Sequence, residues 1–272
     1  MLDEQNQKVP KWNVTTPRKQ SVKSLKKQML VSNVNKKLLT YMFHSDFKFH
    51  LRAIDALRQD LTNNTNGTID NLDMILKWFT LRFFDKKPPV LLKGLEYLQA
   101  VFTMLIAQEY KMLEYEASSF IPYLILKIGY PMDAVWNGVQ ALLRQIEQVY
   151  PAAGVFEYLM KGLKSKNAEC LEHLRSLIEN NGVEVCKPDL SAAVKEIARQ
   201  VSYRGSFVRE ALDCIVQVYF IEKDNVYEMI GEIPDEDLSV LKKHIEGVVK
   251  DRGAQGSHVS QEQQQQDEEE ES

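Results

Sequence analysis

The chain is short of most features that mark a catalytic, secreted or membrane-spanning protein. Its 272 residues hold three cysteines, Cys170, Cys186 and Cys214. These are too few and too widely spaced for a disulfide framework or a zinc site, and they read as small core hydrophobes in a reducing, cytoplasmic compartment. Glycine (12) and proline (9) are scarce, which argues against an all-β chain with its many tight turns. No run of about 18 uninterrupted apolar residues occurs, so no bilayer-spanning segment is expected. The opening MLDEQNQKVPKW has no apolar stretch of the secretory kind. Lys and Arg (34) do not outnumber Asp and Glu (38), so the basic excess of a dedicated nucleic-acid binder is missing. There is no P-loop, GxGxxG, HExxH or GxSxG motif, and neither a catalytic residue nor a cofactor is expected.

What charge there is lies unevenly. From Met1 to Thr40, nine Lys and Arg face only Asp3 and Glu4, a local charge of +7. From Asp251 to Ser272, seven acids face Arg252 alone, a local charge of −6. The tail DRGAQGSHVSQEQQQQDEEEES has one aliphatic side chain beyond alanine, Val259. It cannot bury enough apolar area to offset the entropy of ordering it, so residues 251–272 are expected to be disordered. The tail serves either as an acidic interaction element or as a solubilising end. The basic N-terminal stretch, with a flexible segment over 1–15, would attract an acidic surface by long-range steering.

Between these ends the apolar residues keep helical spacing. Leu72, Ile75, Leu76 and Phe79 share one face, as do Val135, Val139, Leu142, Leu143 and Ile146. Leu171, Leu174, Leu177 and Ile178 repeat the pattern, and so do Val208, Leu212, Ile215, Val216 and Tyr219. Trp78, Tyr97 and Phe102 read as core, as does Trp12. No convincing strand alternation occurs, so the chain is read as all-α. Short polar breaks centre on Asp46, Lys86, Met132, Lys166, Gly205 and Pro234, at intervals of 40, 46, 34, 39 and 29 residues. Helix pairs at a period of about 40 residues lie in the HEAT and armadillo range. Stacked pairs build a continuous core and line up their tight turns on one ridge, an extended binding surface without a pocket. His44 and His50 with Asp46 are residue types that bind metals, but a spacing of six does not place both histidines on one helical face. Glu114 and Glu116 lie far from any expected pocket.

Several segments resemble a known family. NLDMILKWFTLRFFD (71–85), VLLKGLEYLQAVF (90–102) and ASSFIPYLILKIG (117–129) are similar to a TOG domain, the HEAT-repeat array of the Mini spindles/ch-TOG microtubule polymerases, and most similar to its fifth TOG domain. WNVTTPR (12–18), MFHSDF (42–47), LKSKNAECLEHL (163–174) and VYEMIGEIPDEDLSVLKKHI (226–245) extend the resemblance over about residues 10 to 250. It implies an α-solenoid of about six HEAT repeats over 16–250, with an extra N-terminal helix near Gln20–Leu30. It also implies a non-catalytic module whose partner is tubulin or the microtubule lattice, with other microtubule-associated proteins as further partners, at the cytoskeleton, spindle or centrosome. No nucleic acid or membrane is implied. Carried over by position, the contact residues are Asp46 and Phe47 in the first turn and Phe84, Asp85, Lys86 and Lys87 in the second. The third turn offers Met132, Asp133 and Trp136, the fourth Lys164, Lys166 and Asn167, and the fifth Arg204 and Arg209.

The turns depart from the family pattern more than the helix faces do. Asp85 is followed by Lys86-Lys87-Pro88-Pro89 rather than Thr-Asn, and Met132 and Trp136 stand where Lys and Arg are usual. Residues after Asn167-Ala168 are missing, and Arg204-Gly205-Ser206-Phe207 replaces an Arg-Asp-Asn run. Two functions therefore compete. One is a lone array that binds tubulin or microtubules. The other is a HEAT-repeat scaffold that has lost tubulin and holds another protein on the same ridge, rebuilt around Tyr130, Met132 and Trp136.

Overall fold

The structure, a computed structural model, describes residues 19–270 apart from Lys86, Lys166 and Arg204, and beyond Arg252 it describes the backbone alone. Lys86, Lys166, Arg204 and Trp12 thus lie outside the described residues. In chain order the helices are α1 Lys19–Val31, α2 Lys36–Met42, α3 Phe47–Leu61, α4 Thr65–Asp70, α5 Leu72–Arg82, α6 Pro88–Ala107 and α7 Glu114–Ile125. They continue as α8 Asp133–Val149, α9 Ala152–Lys164, α10 Cys170–Asn181, a 3₁₀ turn at Val183–Cys186, α11 Leu190–Ser202, α12 Val208–Glu222, α13 Asn225–Ile230 and α14 Asp235–Glu270. Among the described residues there is no strand. All six breaks read from the sequence fall between consecutive helices. Between α3 and α5 the chain forms the short helix α4.

The chain divides into two compact units, Met1–Tyr158 and Leu159–Ser272. In the first, α3 packs on α6 and α6 on α8, while α5 packs on α7. The second helices of three pairs thus share one layer, and the first helices line the other. The N-terminal helix expected near Gln20–Leu30 is α1, which lies on α5 and buries Leu25 and Met29. Trp78, Phe79, Tyr97, Phe102 and Phe120 fill the space between the layers and are almost completely buried. Phe79 stacks on Tyr97 at 5.5 Å between ring centroids and meets Trp78 edge-on at 4.9 Å, geometries that add to plain area burial.

Helix α6 is long and apolar enough to cross a membrane, with a mean hydropathy of 1.5. This departs from the sequence reading, which looked for an uninterrupted apolar run. Lys93 and Glu96 interrupt α6, and its apolar face, Val90, Leu91, Leu95, Leu98, Val101, Phe102 and Leu105, is buried against its neighbours. It is long because it forms the spine between α3 and α8.

In the second unit, α12 packs on α10, α11 and α14, and α11 also meets α13. Val194, Ile197, Leu212, Ile215, Leu241 and Ile245 are buried there. The backbone of α14 stays helical to Glu270, whereas the sequence led us to expect disorder over 251–272. Gln and Glu are good helix formers, and a helix extending from a packed segment needs no new nucleus.

Candidate functional site

The three tight turns of the first unit each run from the first layer to the second; a direct contact joins the first to the second, and the second meets α7 of the third pair. The first turn, 43–46, links α2 to α3. Asp46 is the N-cap of α3, and its Oδ1 accepts the Lys48 N–H at 3.0 Å, the exchange expected of an N-cap aspartate. The Asp46 N–H donates to His44 Nδ1 at 3.0 Å, and the His44 ring stacks on Phe49 at 3.8 Å. His44 is therefore committed to shaping the turn. Asp46 is exposed and Phe47 half-buried.

The second turn, 83–87, links α5 to α6. Pro88 opens α6 at a position where its missing N–H costs nothing, and Lys87 before it is extended (φ −124°, ψ 93°). This accounts locally for the Lys-Lys-Pro-Pro sequence. Lys87 Nζ lies 5.3 Å from the centroid of the Phe47 ring, a cation–π contact between the first two turns. Phe84 meets Tyr123 of α7 edge-on at 6.2 Å, which ties the second turn to the third pair.

Beneath these contacts lies a polar cluster. His50 Nε2 lies 2.8 Å from the His44 carbonyl oxygen. Arg82 Nη1 lies against the same edge of the imidazole, 2.8 Å from Nδ1 and 2.7 Å from Nε2. Arg82 Nε is 3.3 Å from Asp85 Oδ2, which is 3.6 Å from His50 Nδ1. The Arg82–Asp85 pair is an ion contact rather than an aligned hydrogen bond. Burial lowers the Arg82 pKa, and the Asp85 charge works against that shift. Sequence reasoning weighed His44, Asp46 and His50 as metal ligands. In the structure the ring nitrogens of the two histidines meet the backbone, Arg82 and Asp85, and the Asp46 carboxylate caps α3.

The third turn, 126–132, links α7 to α8. Met132 is the N-cap of α8 and offers no side-chain acceptor, while Asp133 sits in the first helical turn, where a negative charge suits the helix dipole. Met132 and Trp136 are half-buried and Leu126 and Asp133 exposed. Lys127 Nζ lies 5.4 Å from the Tyr130 ring centroid, and burial holds its ammonium below the ordinary lysine range. The turn is thus a mixed apolar and basic lip.

The opposite edge of this unit is held differently. The Met112 N–H donates to the Val149 carbonyl at 2.8 Å. The Tyr158 hydroxyl donates to Glu114 Oε1 at 2.9 Å, and that of Tyr150 to Glu114 Oε2. Glu116, buried at the start of α7, accepts from the Leu113 N–H at 2.8 Å and the Tyr110 hydroxyl at 2.9 Å. The two glutamates that the sequence left without a role are anchors for the far turns.

In the second unit, Lys164 of the fourth turn and Tyr203 of the fifth line one groove of about 330 Å³ together with Leu163, Glu196 and Gln200. Tyr203 is 73% exposed. Sequence reasoning passed over it in favour of its basic neighbour Arg204; a large aromatic at a polar break was the available signal. Arg209 is exposed, its Nε 3.9 Å from Asp213 Oδ2. Asn167 is half-buried in the link between α9 and α10, and its carbonyl accepts the Cys170 N–H at 3.3 Å.

No protein-family profile matches the chain. It is 51% identical over 255 residues to Protein mini spindles of Drosophila melanogaster, covering 92% of this chain and 12% of that one. It spans only that small share of the relative's length. Its structure is similar to one solved in work on TOG–tubulin binding specificity in microtubule dynamics and mitotic spindle formation, with a TM-score of 0.84 and 51% identity over 89% of this chain and 94% of that one. It is also similar to the TOG domain of Zyg9 from C. elegans, with a TM-score of 0.82 and 31% identity over 88% of this chain and 90% of that one. Nearly the whole of each solved chain is matched. The chain therefore belongs to the TOG domains of the Mini spindles/ch-TOG family, all-α arrays of HEAT-repeat helix pairs.

Proposed function

We propose that this chain is a non-catalytic tubulin-binding module that acts in microtubule organisation or dynamics, in the cytoplasm at the cytoskeleton, including the spindle or centrosome. The observation that carries this reading is the edge of the first unit. Three consecutive turns there carry Asp46, Phe47, Phe84, Lys87, Met132 and Asp133, with Trp136 in the first turn of α8; Lys87 lies over Phe47 and Phe84 meets Tyr123, in a chain similar to one solved in work on TOG–tubulin binding specificity. In the second unit, taken by itself, Lys164, Asn167, Tyr203 and Arg209 are further candidate contacts, and Lys86, Lys166 and Arg204 are candidates by their place in the sequence. We place the binding domain at 16–250, with the basic segment 1–15 and the acidic tail 251–272 outside it. The exposed lysines Lys19, Lys23, Lys26 and Lys27 of α1 add salt-sensitive attraction to an acidic partner.

Co-sedimentation with microtubules at low and high salt tests the proposal. Pelleting that weakens as salt rises is the expected result, and no pelleting at either salt counts against it. The mixed apolar lip of the third turn favours a second reading, a scaffold for a different protein. Capture of a non-tubulin protein that is lost on Trp136→Ala, with tubulin ignored by both forms, would select it.

A further inference from the structure

We infer that His50, Arg82 and Asp85 form an internal brace that sets the first two turns in one arrangement, so that they act on the binding edge by positioning Asp46, Phe47 and Lys87 rather than by touching the partner. This rests on the reading of the edge given above, and it moves Asp85 from the contact surface to the support beneath it.

The brace is a continuous chain of polar contacts. It starts at the backbone of the first turn, where the His44 carbonyl accepts from His50 Nε2 at 2.8 Å. It crosses from α3 to α5 where Arg82 Nη1 meets the His50 ring, 2.8 Å from Nδ1 and 2.7 Å from Nε2. It ends in the second turn, where Asp85 Oδ2 stands 3.3 Å from Arg82 Nε and 3.6 Å from His50 Nδ1. The side chains of His50, Arg82 and Asp85 are 8%, 12% and 26% exposed, while Asp46 and Lys87 above them are exposed. His50 and Arg82 are thus too deep to meet a partner's surface and Asp85 is only partly open, whereas Asp46 and Lys87 face solvent.

Hydrophobic packing alone would not give this arrangement. Polar groups at such depth carry a desolvation cost that an apolar cluster of the same volume avoids. What a chain of polar contacts adds is geometry. The imidazole of His50 stands between the first-turn carbonyl of His44 and the Arg82 guanidinium at the end of α5. Trp78 closes the cluster from below, its ring 5.3 Å from the Arg82 guanidinium and 6.1 Å from the His50 ring. With the turns fixed in this way, Lys87 stays over the Phe47 ring.

The test compares His50→Leu with His50→Gln by amide hydrogen exchange and by affinity for soluble tubulin. Leucine keeps the volume and removes both polar contacts; the glutamine amide can still donate to the His44 carbonyl and accept from Arg82. In His50→Leu, exchange at the Lys48 and Phe49 amides speeds up and tubulin affinity falls, each by about tenfold, while His50→Gln stays within about threefold of the parent on both. Asp85→Asn also speeds exchange in the first turn, although Asp85 lies outside it. Unchanged exchange in His50→Leu would overturn the brace. Faster exchange with full tubulin affinity would overturn its positioning role. A parent chain that ignores tubulin would refute the functional reading instead, and the exchange comparison would then decide the brace alone.

Discussion

The indole of Trp78 donates its Nε1 hydrogen to the carbonyl of Met42 at 2.9 Å, across 36 residues of sequence. Met42 is the last residue of α2, so its carbonyl is among those a helix end leaves without an intrahelical partner. One buried side chain of α5 thereby closes the end of α2 at the point where the first turn begins.

Trp78→Phe keeps most of the ring and removes the donor. The Met42 carbonyl is then buried without a partner, at a cost of about 1–3 kcal/mol, and the smaller ring leaves some unfilled volume. Urea unfolding should show a lower midpoint with an unchanged slope. A midpoint equal to that of the parent would mean that this bond does not hold the turn.

The helix pairs were legible in the sequence because their signal is local. Apolar spacing and polar breaks placed α5, α8, α10 and α12, and the break centred on Met132 separates α7 from α8. The brace was not legible. His50 and Arg82 are 32 residues apart, each sits on an ordinary helical pattern, and only the folded chain brings the two side chains together. The same limit applies to Glu114, whose partner Tyr158 is 44 residues away. Candidate contact residues were chosen by position in the turns. Position alone does not separate the exposed Asp46 from Asp85, which is turned inward to Arg82.

The third turn trades stability for surface. Met132 occupies an N-cap without offering an acceptor, and a serine there can bond the free N–H groups of the first turn of α8. Met132→Ser should therefore raise stability by about 0.5–1 kcal/mol. The same change removes an apolar group from the lip beside Trp136 and should weaken partner binding. Stability from urea unfolding and affinity from titration should move in opposite directions. A variant that gains neither stability nor loses affinity would show that Met132 is indifferent.

Glu116 makes stability depend on pH. Burial raises its carboxyl above the ordinary value of 4.5, against the hydrogen bonds from the Leu113 N–H and the Tyr110 hydroxyl, which lower it. A carboxyl raised in the folded state favours folding below its ordinary value, and that contribution is lost as pH rises through the raised value. Glu116→Gln keeps the shape and cannot titrate. The melting temperature of the variant minus that of the parent should therefore increase between pH 4.5 and pH 7. A difference that stays constant or shrinks would show that the charged form is the one the fold prefers.

The thiols provide a check on the core. Burial pushes Cys170 and Cys186 up to about 12 and raises Cys214 as well, and all three are buried. Reaction with a thiol reagent at neutral pH should wait for unfolding, because the thiolate is the reactive form. Rapid labelling of any one of them in the native chain would mean that its helix is not packed as described.

The account depends most on the edge formed by the first three turns. The direct measurement is a titration of the chain against soluble tubulin and polymerised microtubules side by side, repeated with a Phe47→Ala, Lys87→Ala, Trp136→Ala triple variant of unchanged melting temperature. The account predicts saturable binding of the parent to at least one form, and a loss of about tenfold or more in the variant. Equal affinity in parent and variant, or no binding of the parent to either form, would contradict it.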